Sequence, residues 1–574
     1  INIIVGNPPW SAGQTNANDF NANLKYPTLD SRISNTYAAN SAAQRKGNLY
    51  DSYLRALRWA TDRIQDRGIV AFVSNNGWID KNIGDGVRIS LAKDFTDLYV
   101  VDLRGDSTGG GERARREGGS VFDIKVGVCL LVAVKDPQKT KSTIHYAGVP
   151  DFAKKIEKLA FTRSQKISTI NWKTIIPNEA GDWLNQRSVG FSQWPVLGEK
   201  KGTCTKYFRV HSSGLKTSRD AWAINFSLPR VIDSINETAN HYNDVATFAR
   251  EHARQGMPVN FEDLIQQLDL SKFSWDRKNR IQVVKGTTIE VSRSGFRKGH
   301  YRPFMPQHVY FDPSRQLNND TYQIPVIFPT PAHANIGFLQ PTVGANKPYV
   351  VFAVSCIPDL NFYGSEGSQF FTRFTWQQVD GKVERALFGE GIGKQSTDEL
   401  SIYGEIGEYV DGYMRVDNVT DEIKKLYRDA LGSDITGDDI FHFAYGKLHD
   451  PTYRTTYAAD LKKMLPHIET PETREEFDKF AFAGKQLMDL HINYEDVKPW
   501  PVTITVKGDE SDRETWRVAK LKWAKVKDPE TGKNVNDVTK LIYNNKVTIS
   551  DIPAEAEEYM LGSRSALAWI IDRY

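Results

Sequence analysis

The tetrapeptide Asn7-Pro8-Pro9-Trp10 carries more chemistry than any other short run in this sequence. It follows the apolar run Ile1–Val5, which reads as a short buried strand. An asparagine side-chain oxygen and a proline carbonyl are two hydrogen-bond acceptors on a stiff backbone. Proline locks its own φ and restricts the residue before it. Such a pair suits a planar nitrogen with two hydrogens, of which the N6 amine of adenine is an example. Its lone pair is delocalised into the ring and is a poor nucleophile. Acceptors on both N–H groups draw the nitrogen toward tetrahedral geometry and free the lone pair for methylation. A preorganised pair needs little rearrangement to do this. Trp10 offers a flat face on which an extruded base can stack, and the base must leave a duplex because its amine is otherwise inside the helix. Two other readings stay open. The four residues also make an ordinary turn after a strand, and the same acceptor logic fits an RNA base or a protein glutamine amide.

Other chemistries find little support. Cys129, Cys204 and Cys356 are scattered without CxxC spacing. That argues against a disulfide framework or a zinc site and suits a reducing cytoplasm. Gly109-Gly110-Gly111 lacks a strand–turn–helix context and a Gly-Lys-Ser/Thr ending, so it is neither a P-loop nor a dinucleotide fingerprint. No paired-carboxylate nuclease signature and no helicase motif is visible, and no metal is expected. His449 and His491 have apolar or aromatic neighbours and read as structural, while Pro358-Asp359 reads as a turn pair.

The elements that would position Asn7 follow from periodicity. Leu49 to Ile64 places Leu54, Leu57 and Ile64 on one helical face, and Gly68 ends that pattern. Ile69–Val73, Leu98–Leu103 and Val126–Val134 read as further strands. Strands alternating with helices predict a largely parallel sheet covered on both faces, with ligands at the carboxyl ends of its strands. Asn7–Trp10 and Ser74–Trp78 both lie just past such ends. Gly105 to Ser120, rich in Gly and Arg, reads as a mobile loop too polar to pack. Residues 191–415 mix short strands such as Tyr349–Val354 with helices and turns. From 416 the pattern is mostly helical, with Asp421–Leu431, Asp438–Lys447, Pro451–Leu465 and Arg474–His491, before short strands return, including Val502–Val506.

A chain of 574 residues is too long for one core. The division expected is 1–190, 191–415 and 416–574. Hydrophobic residues at 40% and charged residues at 25% are ordinary for a globular protein. No run of eighteen apolar residues is present, so no transmembrane helix is expected. No secretory signal stands at the front. The opening at Ile1, inside an apolar run, suggests a polypeptide that extends upstream. A net charge of +3 is low for a DNA-binding chain, so local clustering matters more than the sum.

Several further runs carry a family resemblance. Asn48-Leu49-Tyr50-Asp51-Ser52-Tyr53 looks like motif V, Gly68–Trp78 like motif VI, and Val121-Phe122 like motif VIII of the gamma class of amino-methyltransferases. In that class the residue matching Tyr53 lines the adenine pocket of S-adenosylmethionine, and the aromatic matching Phe122 packs against a flipped adenine. On spacing alone both are equally readable as core aromatics. Leu103-Arg104-Gly105, Gly111-Glu112-Arg113 and Arg116-Glu117-Gly118-Gly119 resemble a loop of Type I single-polypeptide (Type ISP) restriction-modification enzymes. So do Ser218-Arg219-Asp220-Ala221-Trp222 with Asn225-Phe226, Tyr301-Arg302-Pro303-Phe304 with Tyr310-Phe311-Asp312, Ile357-Pro358-Asp359-Leu360-Asn361-Phe362, and Tyr445-Gly446-Lys447-Leu448-His449. The stretch Leu490-His491-Ile492-Asn493-Tyr494-Glu495 fits as well. The motifs run from residue 1 to about 500, and their order makes the joint match specific.

The resemblance implies a nuclease, a helicase-like motor, a methyltransferase and a target-recognition domain on one polypeptide, of which this chain would hold the last two. It implies methyl transfer from S-adenosylmethionine to adenine N6 in duplex DNA. Asn7, Pro8, Pro9 and Trp10 would be catalytic, Phe122 would stack on the base, and Tyr53 and Asn7 would contact the cofactor. The glycine-rich motif I precedes the Asn-Pro-Pro motif in that class and is absent here, which predicts poor cofactor binding by this chain alone. Candidate DNA contacts are Arg113, Arg115 and Arg116 on the loop. Two basic stretches add Arg277 and Lys278, with Arg280 and Lys285, and Arg297, Lys298 and Arg302, with Arg293. Lys216 and Arg219 are further candidates, in a motif that equally could join two domains. Each of these cations also fits a solvated face. The fold class expected is α/β, a partial Rossmann-like methyltransferase with a mostly parallel sheet, followed by an α+β recognition region with a helical section. The rival reading is a DNA-binding specificity module with an inactive or truncated methyltransferase half.

Overall fold

The computed structural model describes residues 2–10, 26–43, 46–108, 111–199, 202, 204–257, 259–267, 272–312, 316–317, 321–345, 347–379, 404–518 and 520–573. Ile1 and Gly109-Gly110 lie outside them. Two compact units emerge. The first comprises Ile1–Gln193 with Val343–Pro348 and Thr455–Pro466; the second comprises Trp194–Thr342, Tyr349–Arg454 and His467–Tyr574.

The first unit is built on a six-stranded sheet in the order β1-β2-β4-β3-β5-β6. Its strands are β1 (Ile3–Gly6), β2 (Gly68–Asn75), β3 (Asp97–Asp102), β4 (Val128–Lys135), β5 (Thr143–Gly148) and β6 (Lys173–Ile175). β1, β2, β3 and β5 share one direction, whereas β4 and β6 run against them. The α/β class expected from the sequence holds. The hydrogen-bonded pairs, however, are parallel only at β1–β2 and β3–β5. Antiparallel neighbours need no crossover, and the described residues between β3 and β4 contain only one short helix, so β4 returns from the end at which β3 stopped.

Helix α1 (Ser52–Arg63) starts where the Asp51 carboxylate accepts from the Tyr53 amide, a standard N-terminal cap. Its buried face, Tyr53, Leu54, Leu57 and Ala60, packs in one core with Val70 and Phe72 of β2, Leu98 and Val100 of β3, and Leu131 and Ala133 of β4. Leu91 of helix α2 (Asp85–Asp94) joins the same core. Each such side chain contributes about 1.5–3 kcal/mol when fully buried. β1 departs from the buried strand expected. Ile4 packs on the core, but Ile3 and Val5 are 65% and 74% exposed, because β1 is an edge strand and their side chains point to the opposite face.

The Gly105–Ser120 segment also differs from expectation, since it is not a free polar loop. It contains helix α3 (Gly111–Glu117). The Glu117 carboxylate accepts from the amides of Gly105 at 2.8 Å and Asp106 at 3.2 Å. The buried Lys158 ammonium, on helix α4 (Lys155–Ser164), donates to the carbonyls of Glu117 at 2.6 Å and Gly119 at 2.7 Å. Satisfied backbone groups, not apolar side chains, hold the segment down.

In the second unit the long helix α5 (Leu228–Arg254) buries Val231, Ile235, Tyr242, Val245 and Ala249 against Phe273 and Tyr310. Strands β7 (Phe296–Arg302) and β8 (Met305–Tyr310) form a hairpin flanked by the short strands Ile357–Pro358 and Ile224–Asn225. Helices α6 (Gly437–Lys447) and α7 (Arg474–Ile492) pack closely through glycine: a Cβ at Gly446 would lie 2.3 Å from the Phe480 carbonyl, and one at Gly484 2.0 Å from that of His442. The Pro451–Leu465 helix expected is two shorter ones, Pro451–Thr456 and Ala458–Lys463. A further four-stranded sheet is ordered β9 (Thr503–Val506), β12 (Val547–Ser550), β11 (Asn534–Ile542), β10 (Lys522–Lys527). Among the described residues no helix is long and apolar enough to cross a membrane.

Candidate active site

β1 and β2 are parallel neighbours, with Gly6 opposite Phe72. Their carboxyl ends therefore deliver Asn7–Trp10 and Asn75–Trp78 to one edge of the sheet. Asn7 and Pro9 are exposed, while Pro8 and Trp10 are half-buried. Trp10 packs between the main core and a smaller cluster containing Val101, Leu103, Val121 and Val128. Its indole N–H is buried and meets no acceptor among the described residues.

The structure brings Phe122 to Trp10. The ring centroids are 5.9 Å apart and the planes meet at 65°, an edge-to-face contact. Phe122 is 48% exposed. It sits before Asp123, whose φ of +58° turns the chain toward β4.

Trp10 also lines a cleft of about 470 Å³ with Asn48, Asp51, Tyr53, Asn75 and Trp78. Burial raises the Tyr53 hydroxyl pKa well above its ordinary value, and the neighbouring Asp51 charge adds to this. Tyr53 therefore serves as a neutral aromatic wall. The Trp78 indole donates to Ser74 Oγ at 3.2 Å, which fixes the turn after β2. Arg88 is fully buried and donates to the Trp78 carbonyl at 2.8 Å and the Lys81 carbonyl at 3.1 Å, holding the same turn from behind. The volume and the mixed aromatic and polar lining fit a nucleoside-sized ligand. Asn7, expected to touch the cofactor, does not line this cleft.

A second cleft, also about 470 Å³, shares Gly77 and Lys81 with the first. Its polar wall includes Asp102, Arg104, Asp106, Arg113, Arg116 and Lys462. Asp102 accepts from Asn76 Nδ2 at 2.9 Å, the Arg104 amide at 2.8 Å and the Tyr146 hydroxyl at 3.1 Å. Burial pushes the Asp106 carboxyl up, but Lys81 at 3.0 Å and hydrogen bonds from Thr108 outweigh it and hold it below the usual carboxylate range. Burial lowers the Lys462 ammonium pKa, and the Arg113 charge lowers it further. Arg113 lies 3.8 Å from Asp106, Arg116 is paired with Asp151 at 2.6 Å, and Arg115 is exposed. No local pattern in the sequence marks Lys462, which reaches this wall from the Thr455–Pro466 segment. Among the described residues no group of His, Cys, Asp or Glu could hold a metal ion.

In the second unit Lys216, Arg277, Lys278 and Lys298 are exposed. Arg219, Arg297 and Arg302 are not, being 6–7% exposed. This corrects their assignment as DNA contacts, because each guanidinium is committed to internal acceptors. Arg219 donates to the Leu317 carbonyl at 2.6 Å and to Asn279 Oδ1 and Asp276. Arg297 donates to the carbonyls of Ser294, Phe328 and Pro329, and burial pushes its pKa down to about 10. Arg302 pairs with Asp359 at 2.6 Å and lies 3.8 Å over the Tyr301 ring. Burial pushes the Asp359 carboxyl up to about 6 in spite of that partner. His449 and His491 are core groups: the His449 ring bonds the Tyr445 and Val351 carbonyls, and the His491 ring lies between the Tyr445 and Tyr559 hydroxyls.

Residues 206–574 match the family described as the Type ISP C-terminal specificity domain. Three solved structures share 30% identity with the chain over its whole length. They are a nuclease-deletion mutant of the Type ISP restriction-modification enzyme LlaGI in complex with a DNA substrate mimic (TM-score 0.78), the ATP-dependent Type ISP enzyme LlaBIII bound to DNA (0.80), and a DrdV–DNA complex (0.80). The chain spans 48%, 34% and 52% of those chains respectively. No curated protein matched.

Proposed function

Since this chain belongs to the Type ISP C-terminal specificity family, we propose that it recognises a sequence in duplex DNA and that its first unit methylates adenine N6 there. The observation that carries this reading is the meeting of Trp10 and Phe122, 5.9 Å apart at the end of a strand, beside a cleft of nucleoside size. Asn7 Oδ1 and the Pro8 carbonyl accept from the two N6 hydrogens, and Pro9 stiffens the turn. Trp10 and Phe122 flank the extruded base. A base stacked between two rings needs them about 7 Å apart and parallel, given contact distances of about 3.5 Å. The edge-on pair must therefore rotate open to admit it, and the exposed Phe122 is the ring free to swing. Tyr53, with Asp51 and Asn48, forms the wall against which S-adenosylmethionine would lie; when bound it supplies the electrophilic methyl group. Arg113 and Arg116 line the second cleft with Lys462 and Lys81, and this reading gives them, together with the exposed Arg115, to phosphates beside the base. Lys216, Arg277, Lys278 and Lys298 are the exposed cations of the second unit that this reading gives to DNA. Nuclease and helicase-like domains would work upstream on the same polypeptide, as the resemblance implies.

The test is transfer of labelled methyl from S-adenosylmethionine to duplex DNA, RNA and a glutamine peptide by the full-length polypeptide and by Asn7→Ala. Removing one transition-state acceptor should cost at least about 100-fold in rate. Label in adenine N6 that falls by that factor supports the reading, and undiminished transfer by the variant would reduce Asn7–Trp10 to a turn. Sequence-specific binding with no transfer would favour the second reading, a specificity module with an inactive methyltransferase half. The family match over 206–574 bears on the specificity half, which both readings share.

A further inference from the structure

One strongly charged surface belongs to none of the residues assigned so far. From Arg517 to Lys546 the chain carries eight cations, Arg517, Lys520, Lys522, Lys525, Lys527, Lys533, Lys540 and Lys546, against the anions Asp528, Glu530 and Asp537. That stretch is net +5 in a chain that is net +3, so the other 544 residues are together net −2. The lysines alternate with other residues, which is why no basic run announces them. Most of the stretch is the hairpin β10–β11. Lys522, Lys525, Lys527, Lys533 and Lys540 are exposed, and none makes an ion pair with another described residue.

The register decides where these charges point. Lys525 lies opposite Asn536 and Lys527 opposite Asn534, so two Lys–Asn pairs share one face of the ribbon, and Lys525 donates to Asn536 Oδ1 at 2.6 Å. Val526 and Val535 pair on the other face. The tip is rigid. Asp528 Oδ1 accepts from the Glu530 amide at 3.1 Å, the Thr531 amide at 2.7 Å and the Thr531 hydroxyl at 2.8 Å, and Gly532 takes the left-handed conformation that closes the turn. Lys533 stands at the foot of that tip.

We propose that the Lys/Asn face of β10–β11 is a contact surface for duplex DNA, engaging it as a two-stranded ribbon. The inference rests on the DNA-recognition reading above and adds a site to it. A two-stranded ribbon fits the major groove, which is about 12 Å wide. Ammonium groups neutralise the phosphates that line the groove, while Asn carboxamides offer both donor and acceptor to base edges. A local excess of positive charge on a chain that is otherwise net −2 draws DNA to this surface.

The experiment is duplex binding by the full chain as a function of salt, comparing the wild type with Lys525→Gln/Lys527→Gln/Lys533→Gln and with the corresponding triple Lys→Arg variant. All three side chains are exposed, so thermal melting should be unchanged; that is checked first. Loss of three phosphate contacts should reduce the slope of log K against log salt by about 2–3 and weaken binding at low salt by at least about tenfold. The Lys→Arg variant should keep the wild-type slope. A Gln variant with the wild-type slope overturns the hairpin site and leaves DNA recognition standing. A wild type that binds no duplex overturns both. Equal wild-type binding to phosphatidylserine/phosphatidylcholine vesicles, with no preference for DNA, assigns the surface to a generic anion and overturns the proposal as well.

Discussion

The hairpins β7–β8 and β10–β11 are both basic antiparallel ribbons of the second unit, yet they dispose of their cations in opposite ways. β7 lies between β8 and the strand Ile357–Pro358, and the residues around it bury Val309, Tyr310 and Ile357. Arg297 and Arg302 point into that interior, where a guanidinium can satisfy several carbonyls or a carboxylate at once. Lys298, between Arg297 and Gly299 on the strand, takes the opposite face and stays in solvent. β10 is an edge strand, and its lysines are left to water. A compact, strongly hydrated ammonium suits that exposed edge and would be poorly placed in the interior of β7. A net positive charge thus means structure in one ribbon and an available surface in the other, and the residue type, Arg or Lys, tracks which.

The sharpest way to break this comparison is to remove a buried arginine. Arg302→Ala leaves the Asp359 carboxylate buried without its cation, and such losses cost about 3–5 kcal/mol. Urea denaturation should show that loss. A drop below about 1 kcal/mol would mean Arg302 is not structural, and its candidacy for DNA would reopen.

Asp359 gives the next largest effect. Its folded pKa of about 6 lies above the ordinary aspartate value of about 3.9. Between those two values the folded chain binds more protons than the unfolded one, so this group's contribution makes stability fall as pH rises from about 4 to 6. The change is on the order of 2 kcal/mol across the window. Asp359→Asn should remove it, so urea midpoints of wild type and variant should diverge between pH 4 and pH 7. Parallel curves would show that Arg302 keeps the carboxylate ionised.

The molecule was unevenly legible in its sequence. Helix α1 follows from Leu54, Leu57 and Ile64 at helical spacing, and Asp51 stands where a cap belongs. The apolar run that becomes β4 was visible too, but its direction was not, because an apolar run carries no sign of which way its strand points. The burial of Arg219, Arg297 and Arg302 depends on carbonyls at Leu317, Phe328 and Pro329 and on Asp359, all distant along the chain. The docking of Gly105–Ser120 depends on Lys158 and Glu117 meeting backbone groups, which composition alone cannot foresee. Lys462 reaches its cleft only through the tertiary fold. The lysines of β10–β11 were countable but spaced two to seven positions apart, so a search for runs passed over them.

The smallest effect is the most discriminating, because it separates two neighbours on one strand. Lys298→Gln changes an exposed side chain and should leave stability within about 0.5 kcal/mol. If Lys298 touches a phosphate, the salt slope of duplex binding falls by about 0.9. Arg297→Ala should do the reverse. Three backbone carbonyls lose their donor and an apolar pocket loses its filling, so stability drops by about 1–3 kcal/mol while the slope of the folded fraction stays put. Measured on the same duplex, the two variants read the two faces of β7 separately. If Arg297→Ala lowers the slope with no loss of stability, the inward face of this strand is not closed in solution, and the contrast with β10 collapses.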